Sequence, residues 1–561
     1  MTTMRRMTEI QRGLRTALLH GALLAGSFVF SIPFIWLFST SCKMPDEMYP
    51  PKWIPQMPGG VVRSPYIALR DNERSERPIN VSLEDWQRTR GPILDAITER
   101  VLSWQQELPQ FYAPYLAEPD LAEGIFSRIT KRAPDDLFSK VEPVAAAWFA
   151  QNVDQDIVRE VFEAVYRRMA VSDVVFHGWD VVSVEYPTAG QNYPWRVVSG
   201  DAVLVPRTEG LLRPALEVHY QFDNEPRFVL QTVLPLQMHA HNLKKIIVSL
   251  HGDRSWHEIW ATVETAGRTY RSAQAAYLQS DRAQDITWQF ASEDDRSLKM
   301  KTWLRLDEIG PSDLTDEQAV RITLECRYGS HLRAGINKLS FNYRDVLRRV
   351  PLPRYIQNSV VLVILCVAGQ VLGSSLVAFS FARLRWPGRE FCFILVLSTL
   401  MIPPQVTMIP VFLIYKNIGW YNTLRPLWVP AFFGSAFFIF LLRQFMRTIP
   451  TDLEDSAKID GCGFLGIYAR IILPLVKPAL ATIGIFTFMG TWNDFMGPLI
   501  YLSDQELYPL SLGLFALKVI QGGNFGLMMA ASVLMTLPII VLFFVAQRQF
   551  IQGITLTGLK G

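Results

Sequence analysis

The sequence has little charge for its length. Asp, Glu, Lys and Arg make up 19% of its 561 residues, and the net charge is +3, whereas a soluble protein carries about 25% charged residues. So small a net charge excludes a protein that binds nucleic acid through a basic surface. The five cysteines include no CxxC pair, which leaves no sign of a disulfide framework. Because 49% of the residues are hydrophobic, the composition indicates a membrane protein with a soluble part.

The chain also lacks a phosphate-binding loop of the form G-x-x-x-x-G-K-[ST]. The nearest stretch, GITLTGLK at 553–560, misses the spacing by one residue and has no hydroxyl residue after its lysine. Such a stretch cannot cradle a phosphate and its magnesium ion. We therefore expect this chain to have no ATPase site and no cofactor of its own.

Long apolar runs recur along the chain. A transmembrane helix needs about 20 mostly apolar residues. No small-x-small cleavage site follows the first run, so we interpret that run as an uncleaved anchor and not as a signal peptide. The sequence thus predicts an α-helical polytopic membrane protein with six transmembrane helices. The predicted spans are 17–38, 355–381, 391–415, 424–442, 478–502 and 526–547.

Basic residues next to the apolar runs predict the orientation, because loops rich in Lys and Arg stay on the cytoplasmic side. The four groups are Arg5, Arg6, Arg12 and Arg15; Arg383, Arg385 and Arg389; Arg443 and Arg447; and Arg548 and Lys560. With six spans all four groups fall on one side. We therefore expect an inner-membrane protein with both termini cytoplasmic and with 59–339 in the periplasm or outside the cell.

The exported segment changes its hydrophobic period along its length. Apolar residues recur at helical spacing after Ser82, which is placed to cap a helix, and again from 157 to 169. From about 172 the period is two, as in ALEVHYQF, DITWQF and VRITLECRY. Eight to ten such runs favour an antiparallel β-sandwich. The sequence predicts an inserted α+β domain, mainly helical over 59–170 and mainly β over 171–339.

Three features of this segment have alternative interpretations. His239 and His241, two apart, would share a strand face and chelate a metal, or else they are surface histidines of a turn. Several tryptophans would stack on sugar rings, or else they fill the core. The acidic run 293–295 supplies carboxylates that a glycan-cleaving enzyme needs in pairs, or else it is a solvated turn. The tryptophans in question are Trp195, Trp256, Trp260, Trp288 and Trp303.

The stretch LEDSAKIDGCGFLGIYARIILP lies between two predicted spans, on the cytoplasmic side. A short charged helix, a glycine turn and a proline at the return to the membrane suit a rigid connection between spans. Leu453, Ala457 and Asp460 would share one helix face. The stretch resembles the cytoplasmic EAA loop of permease subunits of binding-protein-dependent ABC importers: Asp455, Ser456 and Ala457 take the Glu-Ala-Ala positions.

That resemblance implies that the loop 447–477 couples the chain to an ATPase. The implied coupling residues are Glu454, Asp455, Ser456, Ala457, Asp460, Gly461, Ile471, Leu473 and Pro474. Further stretches are similar to the second permease subunit of maltose-type importers, namely PPKWIP at 50–55, FNYRDVL, RYIQNSVVL, IPPQVTMIP, GTWNDFMGPLI and the tail QRQFIQGITLTGLKG. The resemblance covers about 1–58 and 340–561, so 59–339 is an insertion. It implies the type I ABC importer permease fold for 340–561.

Polar residues inside spans are costly and are therefore candidates for function. The candidates for a translocation pathway are Asn358, Gln405, Trp492, Asn493 and Asp494. For Asp494 a helix–helix hydrogen bond or a helix cap near a kink is an equal alternative.

The resemblance implies the transmembrane subunit of a saccharide importer. Its implied partners are a second permease subunit, an ABC ATPase dimer that binds ATP and magnesium, an exported solute-binding protein and the membrane lipid. The alternative is a membrane-anchored carbohydrate-binding or sensing protein whose exported insert is the active part. Deleting that insert would separate the two hypotheses.

Overall fold

A computed structural model describes the backbone of residues 2–48, 53–70, 73–180, 182–187, 195–207, 214–223, 225–281, 283–291, 301–520 and 524–558. Side chains are described for the same residues except 2–15, 17, 135, 519–520 and 545–558. The acidic run 293–295 and residues 50–52 of PPKWIP lie outside the described residues. The basic side chains at both chain ends also lie outside them.

The chain begins with the long helix α1 (Thr2–Ser41). Its apolar part, Leu18–Ser41, has 24 residues, which at 1.5 Å per residue is about 36 Å and exceeds the thickness of a bilayer core. Trp36, near its end, packs edge-to-face on Trp53 at 5.0 Å between ring centroids. Aromatic residues of this kind are typical of a membrane–water boundary.

Four helices follow and share one core. Ile93, Ile97 and Val101 are buried there, as their helical spacing predicted. The Ser82 hydroxyl accepts the N–H of Asp85 at 3.1 Å, which confirms the predicted helix cap. The last helix ends at Val165, so Met169, which the helical pattern included, lies in a strand. The helices are α2 (Leu83–Leu102), α3 (Pro119–Thr130), α4 (Glu142–Gln151) and α5 (Gln155–Val165).

The remainder of the inserted segment is rich in strands. They are β1 (Arg63–Ser64), β2 (Tyr66–Ile67), β3 (Tyr166–Arg167), β4 (Met169–Gly178), β5 (Ser183–Tyr186), β6 (Trp195–Ser199), β7 (Ala202–Arg207), β8 (Ala215–Gln221), β9 (Arg227–Pro235), β10 (Leu243–His251), β11 (Glu258–Thr265), β12 (Arg268–Ser272), β13 (Ala276–Tyr277), β14 (Ala283–Phe290), β15 (Leu304–Pro311) and β16 (Ala319–Arg327). Alternate residues of β16, from Val320 to Cys326, are buried as the period of two predicted.

A sandwich of two sheets is not confirmed. Hydrogen bonds join 14 strands into one sheet along the path β1-β8-β4-β10-β14-β15-β12-β11-β16-β9-β6, while β2 and β3 pair separately. The pairs are antiparallel except β14 with β15, which is parallel. Buried residues from both ends of this path belong to one core. Strand twist and the bulges between β10 and β4 let such a sheet curve around its core like a half-barrel.

Helix α6 (His331–Arg349) leads from the sheet to the apolar C-terminal part. Lys338 Nζ lies 2.5 Å from Glu47 Oε1, and both side chains are buried. The Asn342 amide donates to the carbonyls of Ser41 and Lys43, at 2.8 and 2.9 Å. These contacts hold α6 against the C-terminal end of α1 and the residues that follow it. The two ends of the inserted segment therefore lie side by side.

The C-terminal part is helical. Its elements are α7 (Leu352–Arg383), α8 (Arg389–Ser398), α9 (Pro404–Asn417), α10 (Arg425–Trp428), α11 (Ala436–Arg447), α12 (Asp452–Ile459), α13 (Phe464–Ile467), α14 (Leu473–Leu475), α15 (Lys477–Asn493), α16 (Met496–Tyr501), α17 (Leu510–Ile520) and α18 (Phe525–Gly558). Ala378 of α7, Leu442 of α11 and Ile483 of α15 share one core. Helix α7 is therefore the centre of this part.

Within the described residues, four helices are long and apolar enough to cross a membrane. They are Leu18–Ser41, Leu352–Arg383, Arg425–Arg447 and Phe525–Phe544. Two further pairs pass the same test jointly but are bent, by 102° between Arg389–Met401 and Pro404–Asn417 and by 78° between Phe464–Leu475 and Lys477–Asn493. The number of spans is thus four, or up to six if each bent pair is one span.

Candidate functional site

Helix α12 ends in a tight glycine turn. The N–H of Gly461 donates to the carbonyl of Lys458 at 3.0 Å, and the N–H of Cys462 reaches back to Ala457 at 2.8 Å. This pair of bonds is the Schellman motif, which needs a left-handed residue after the helix. Gly461 supplies it with φ of +79°. Gly463 has φ of −77°, so only the first of the two glycines is required by backbone conformation.

The inner side of α12 is tied to the last residue of α7. Arg383 Nε lies 2.9 Å from Glu454 Oε1, and both side chains are buried. The same guanidinium donates to the carbonyl of Met446, in the last turn of α11. It also donates to the carbonyl of Ile449, just after that helix, at 2.7 Å. One arginine therefore joins the ends of α7 and α11 to α12.

The outer side of α12 is exposed and mixed in polarity. Ile459 is 86% exposed, and Phe464 and Leu465 after the turn are 64% and 76% exposed. Leu453, in the first turn of the helix, is also exposed, and Asp455 forms a surface ion pair with Lys458 at 2.8 Å. Large exposed apolar side chains are typical of interaction sites where they form a patch. We name Leu453, Ile459, Phe464 and Leu465 the docking patch.

The structure divides the predicted coupling residues between two faces. Asp455, Ser456, Asp460 and Gly461 are exposed, whereas Glu454 and Ala457 are buried. Of the three residues predicted to share one helix face, Leu453 and Asp460 are exposed, whereas the structure buries Ala457. It lies three residues after Glu454 and faces inward with it, because the ion pair with α7 sets the rotation of the helix.

The chain returns toward the apolar part through an irregular helix. Ile471 and Leu473 are half-buried and Pro474 is exposed. A single π turn spans Tyr468–Ile472, a feature frequent at functional sites. The buried hydroxyl of Tyr468 lies 2.7 Å from that of Ser375 on α7. The return segment is thus fixed to the same helix as α12.

Two of the pathway candidates are buried in structural contacts. The Asn358 amide donates to the carbonyls of Glu506 and Tyr508, at 2.8 and 3.0 Å. The Trp492 indole donates to the carbonyl of Met535 on α18 at 3.3 Å. Both side chains hold loop and helix backbone in place within this chain.

The other three pathway candidates are more accessible. The Asp494 carboxylate accepts the N–H of Gly497 at 3.1 Å, so it caps the start of α16, as the second interpretation proposed. Asn493 is exposed and donates to the carbonyl of Met489 at 2.9 Å. Gln405, in the first turn of α9, is also exposed.

The histidine pair lies in a turn and not on a strand. His239 precedes the short 3₁₀ turn Ala240–Asn242 and His241 lies within it; both are exposed, and their rings stack at 5.4 Å. Within the described ranges there is no group of three His, Cys, Asp or Glu side chains placed to hold a metal ion. Of the five tryptophans proposed to contact saccharide, Trp195, Trp256 and Trp288 are buried in cores.

Sequence reasoning missed the role of Arg383. It counted that residue only as a loop charge that sets orientation. Its carboxylate partner is 71 positions away in the chain (454 minus 383), so no local spacing points to the pair. The only available signal was a carboxylate on the inward side of a short helix beside a span that ends in arginine.

An apolar helical domain with an exposed, anchored helix between its long apolar helices is typical of an integral membrane protein that docks a partner on one side. The family model of the binding-protein-dependent transport system inner membrane component matches residues 370–555. The permease protein AraQ of the arabinooligosaccharides transport system of Halalkalibacterium halodurans is 38% identical over 204 residues, which are 36% of this chain and 73% of that relative. The chain therefore belongs to this family of inner-membrane transport components, and it carries a large additional region toward its N-terminus.

Other known proteins match a share of the chain of similar size. The lactose transport system permease protein LacG of Rhizobium radiobacter is 34% identical over 212 residues, 38% of this chain and 77% of that relative. A solved bacterial ABC transporter involved in the import of the acidic polysaccharide alginate matches 37% of this chain and 78% of its own, with 24% identity and a TM-score of 0.33.

Proposed function

We propose that the chain is one transmembrane subunit of an ATP-driven importer, which passes a saccharide from an exported binding protein across the inner membrane by alternating access. The observation that carries this proposal is α12, exposed on its outer side and bound to the end of α7 by Arg383 and Glu454. Family membership supports the transport role. The saccharide class is supported by the printed names of relatives, which refer to arabinooligosaccharides and lactose.

In this proposal the energy comes from a separate ABC ATPase dimer, which holds ATP and magnesium. The docking patch and the exposed residues Asp455, Ser456, Asp460 and Gly461 contact that dimer. Glu454 and Ala457 act from the inner side by fixing the helix. When the ATPase dimer closes, α12 moves, and α7 and α11 follow because Arg383 joins the three.

We propose six spans, which is the upper count that length and composition allow, and in the second bent pair we assign Lys477–Asn493 to the membrane and Phe464–Leu475 to the cytoplasmic side. The basic residues beside the spans then fall on one side, which supports cytoplasmic termini, a cytoplasmic loop 447–477 and an exported 59–339. One chain with one coupling helix forms half of a pathway, so a second permease subunit completes it. Gln405, Asn493 and Asp494 are the candidates to line the pathway.

The proposed domains are 1–58, 59–339 and 340–561. A Cβ added to Gly60 would lie 3.4 Å from that of His331, so the chain leaves and re-enters at one point. This arrangement supports an insertion into a permease. It disfavours the alternative of a membrane-anchored binding or sensing protein, in which the exposed docking patch would have no role.

The experiment is co-purification of the ATPase with the full chain from cells that contain all subunits. Phe464→Asp with Leu465→Asp is expected to abolish retention of the ATPase, because two exposed apolar contacts become charged. Leu332→Asp is the control, since Leu332 is also exposed but lies on α6 at the opposite end of the molecule's spans. Equal retention by all variants would overturn the assignment of the docking patch.

A further inference from the structure

A cleft of about 520 Å³ lies between the sheet and helix α6. Its lining includes three aromatic residues, Trp260, Tyr277 and Phe341, together with Arg333 and Arg344. A volume of this size lies within the range of about 300–1,000 Å³ typical of small-ligand pockets. The cleft therefore has the dimensions of a ligand site, outside the membrane part of the chain.

The cleft is not a defect of core packing. On β11 the alternate residues Ile259, Ala261 and Val263 are buried in the core of the sheet, so Trp260 lies on the opposite face, toward α6. There the wall of the cleft is formed by Ala273 and, two residues on, Ala275. Because methyl side chains do not reach α6, the ring of Trp260 is left with open space beside it.

The aromatic groups are held in place by cations and hydrogen bonds. The guanidinium carbons of Arg271 and Arg327 each lie 5.5 Å from the centroid of the Trp260 ring, a cation–π distance. Arg344 donates to the Tyr277 hydroxyl at 3.1 Å. Rings fixed in this way present apolar faces at little further entropy cost to a ligand that stacks on them.

The polar groups of the cleft carry a surplus of positive charge. Glu258 accepts two bonds from Arg333, at 3.0 and 3.1 Å. Asp345 pairs with Arg348. The lining thus contains three arginines, at 333, 344 and 348, against two carboxylates, a difference of one positive charge. Arg344, which contacts a neutral phenol, is the arginine best placed to bind an added carboxylate.

We propose that this cleft binds a saccharide that bears a carboxylate, with Trp260 against the sugar ring and Arg344 on the acid group. A sugar has both an apolar C–H face and many hydroxyls, which matches rings set among donors and acceptors. The proposal rests on the proposed orientation, which exports the cleft. Since α6 leads into α7, a bound saccharide would lie where the inserted segment meets the first span of the permease core.

The test is equilibrium binding by calorimetry to the full chain with its partner subunits in lipid nanodiscs, without ATP and without the binding protein. The probes are trigalacturonate, which is acidic, and maltotriose, which is neutral. Trigalacturonate is expected to bind, and Trp260→Ala is expected to weaken it about tenfold through the lost ring contact. Arg344→Gln is expected to reduce the preference for the acidic probe over the neutral one.

Trp179→Ala is the matched control, because Trp179 is a 40% exposed tryptophan on the same segment that lies under Lys244, away from the cleft. It is expected to leave the affinity unchanged. Absence of trigalacturonate binding, or equal affinity of the wild type and Trp260→Ala, would overturn the proposal. If ATP-driven uptake persists alongside such a result, the proposed transport function is retained and only the saccharide-binding role of the cleft is rejected.

Discussion

Replacing Glu454 by alanine tests how α12 is held. The change leaves Arg383, whose side chain is only 6% exposed, buried without its carboxylate. Breaking a buried ion pair from one side costs about 3–5 kcal/mol. Since every 1.4 kcal/mol is about a factor of ten, the anchored position of α12 would lose about two to three and a half orders of magnitude in population relative to detached positions.

The assay is ATP hydrolysis by the assembled transporter with saturating binding protein and saccharide. Glu454→Ala is expected to retain membrane insertion but to lose stimulation by substrate, because α12 no longer moves with α7. Glu454→Gln keeps the oxygen acceptor and loses the charge. Its stimulation by substrate should lie between that of the wild type and that of Glu454→Ala. Lys458→Ala is the control on the same helix, since it breaks only the exposed pair with Asp455, and such a pair contributes about 0–1 kcal/mol. Equal stimulation in Glu454→Ala and Lys458→Ala would refute the anchoring role.

Three further predictions concern other parts of the chain. Gly461→Ala should destabilise α12 by about 1–2 kcal/mol, because it forces a side chain into the left-handed region. Gly463→Ala should leave the stability unchanged, and thermal unfolding of the complex measures both variants. Arg254, Arg167 and Arg70 hold the pKa of Asp281 below its usual range, against the opposing effect of burial. The ionised carboxylate stabilises the fold above about pH 4, and this contribution is lost as the pH falls further. In melting curves recorded over a pH series, Asp281→Asn should therefore lose less melting temperature in acid than the wild type does. Replacing residues 61–330 by a short glycine–serine linker should leave ATP-driven uptake in place, because the segment's ends meet; loss of uptake in a correctly inserted variant would contradict an accessory role.

The turn after α12 was predictable because its determinants are local. A glycine at the end of a short charged helix indicates a left-handed cap, and Gly461 adopts one. The rotation of the helix was not predictable, because a partner 71 residues away sets it. Ala457 therefore faces inward although its spacing from Leu453 placed both on one face.

The inserted segment shows the same division between local and long-range information. The period of two located the buried residues of β16, since side chains alternate across any strand. In β8 and β14 it located Leu216, Val218, Tyr220 and Trp288, but Glu217 and Gln289 on the opposite faces are buried as well. Strand order depends on which strands pair across the chain, as when β8 pairs with β4 and β16 with β9. Periodicity carries no information about that pairing. The same alternation of apolar and polar residues therefore fits one curved sheet as well as a sandwich of two sheets.

Polar residues within apolar helices were ambiguous for a different reason. In a membrane every backbone carbonyl needs a donor, and Asn358 serves that need for a loop between helices. A residue that lines a pathway and one that satisfies backbone look alike in sequence. Only the contacts of Asn358 and Trp492 distinguish them from the accessible Gln405 and Asn493.

The most direct test of the central claim is ATP-dependent uptake by proteoliposomes that contain this chain, its partner permease and the ATPase. A labelled oligosaccharide and the binding protein that takes it up are supplied on the exported side. The account predicts accumulation that requires ATP on the side of the docking patch and that disappears in Phe464→Asp with Leu465→Asp. Accumulation without ATP, or accumulation unaffected by those two changes, would contradict it.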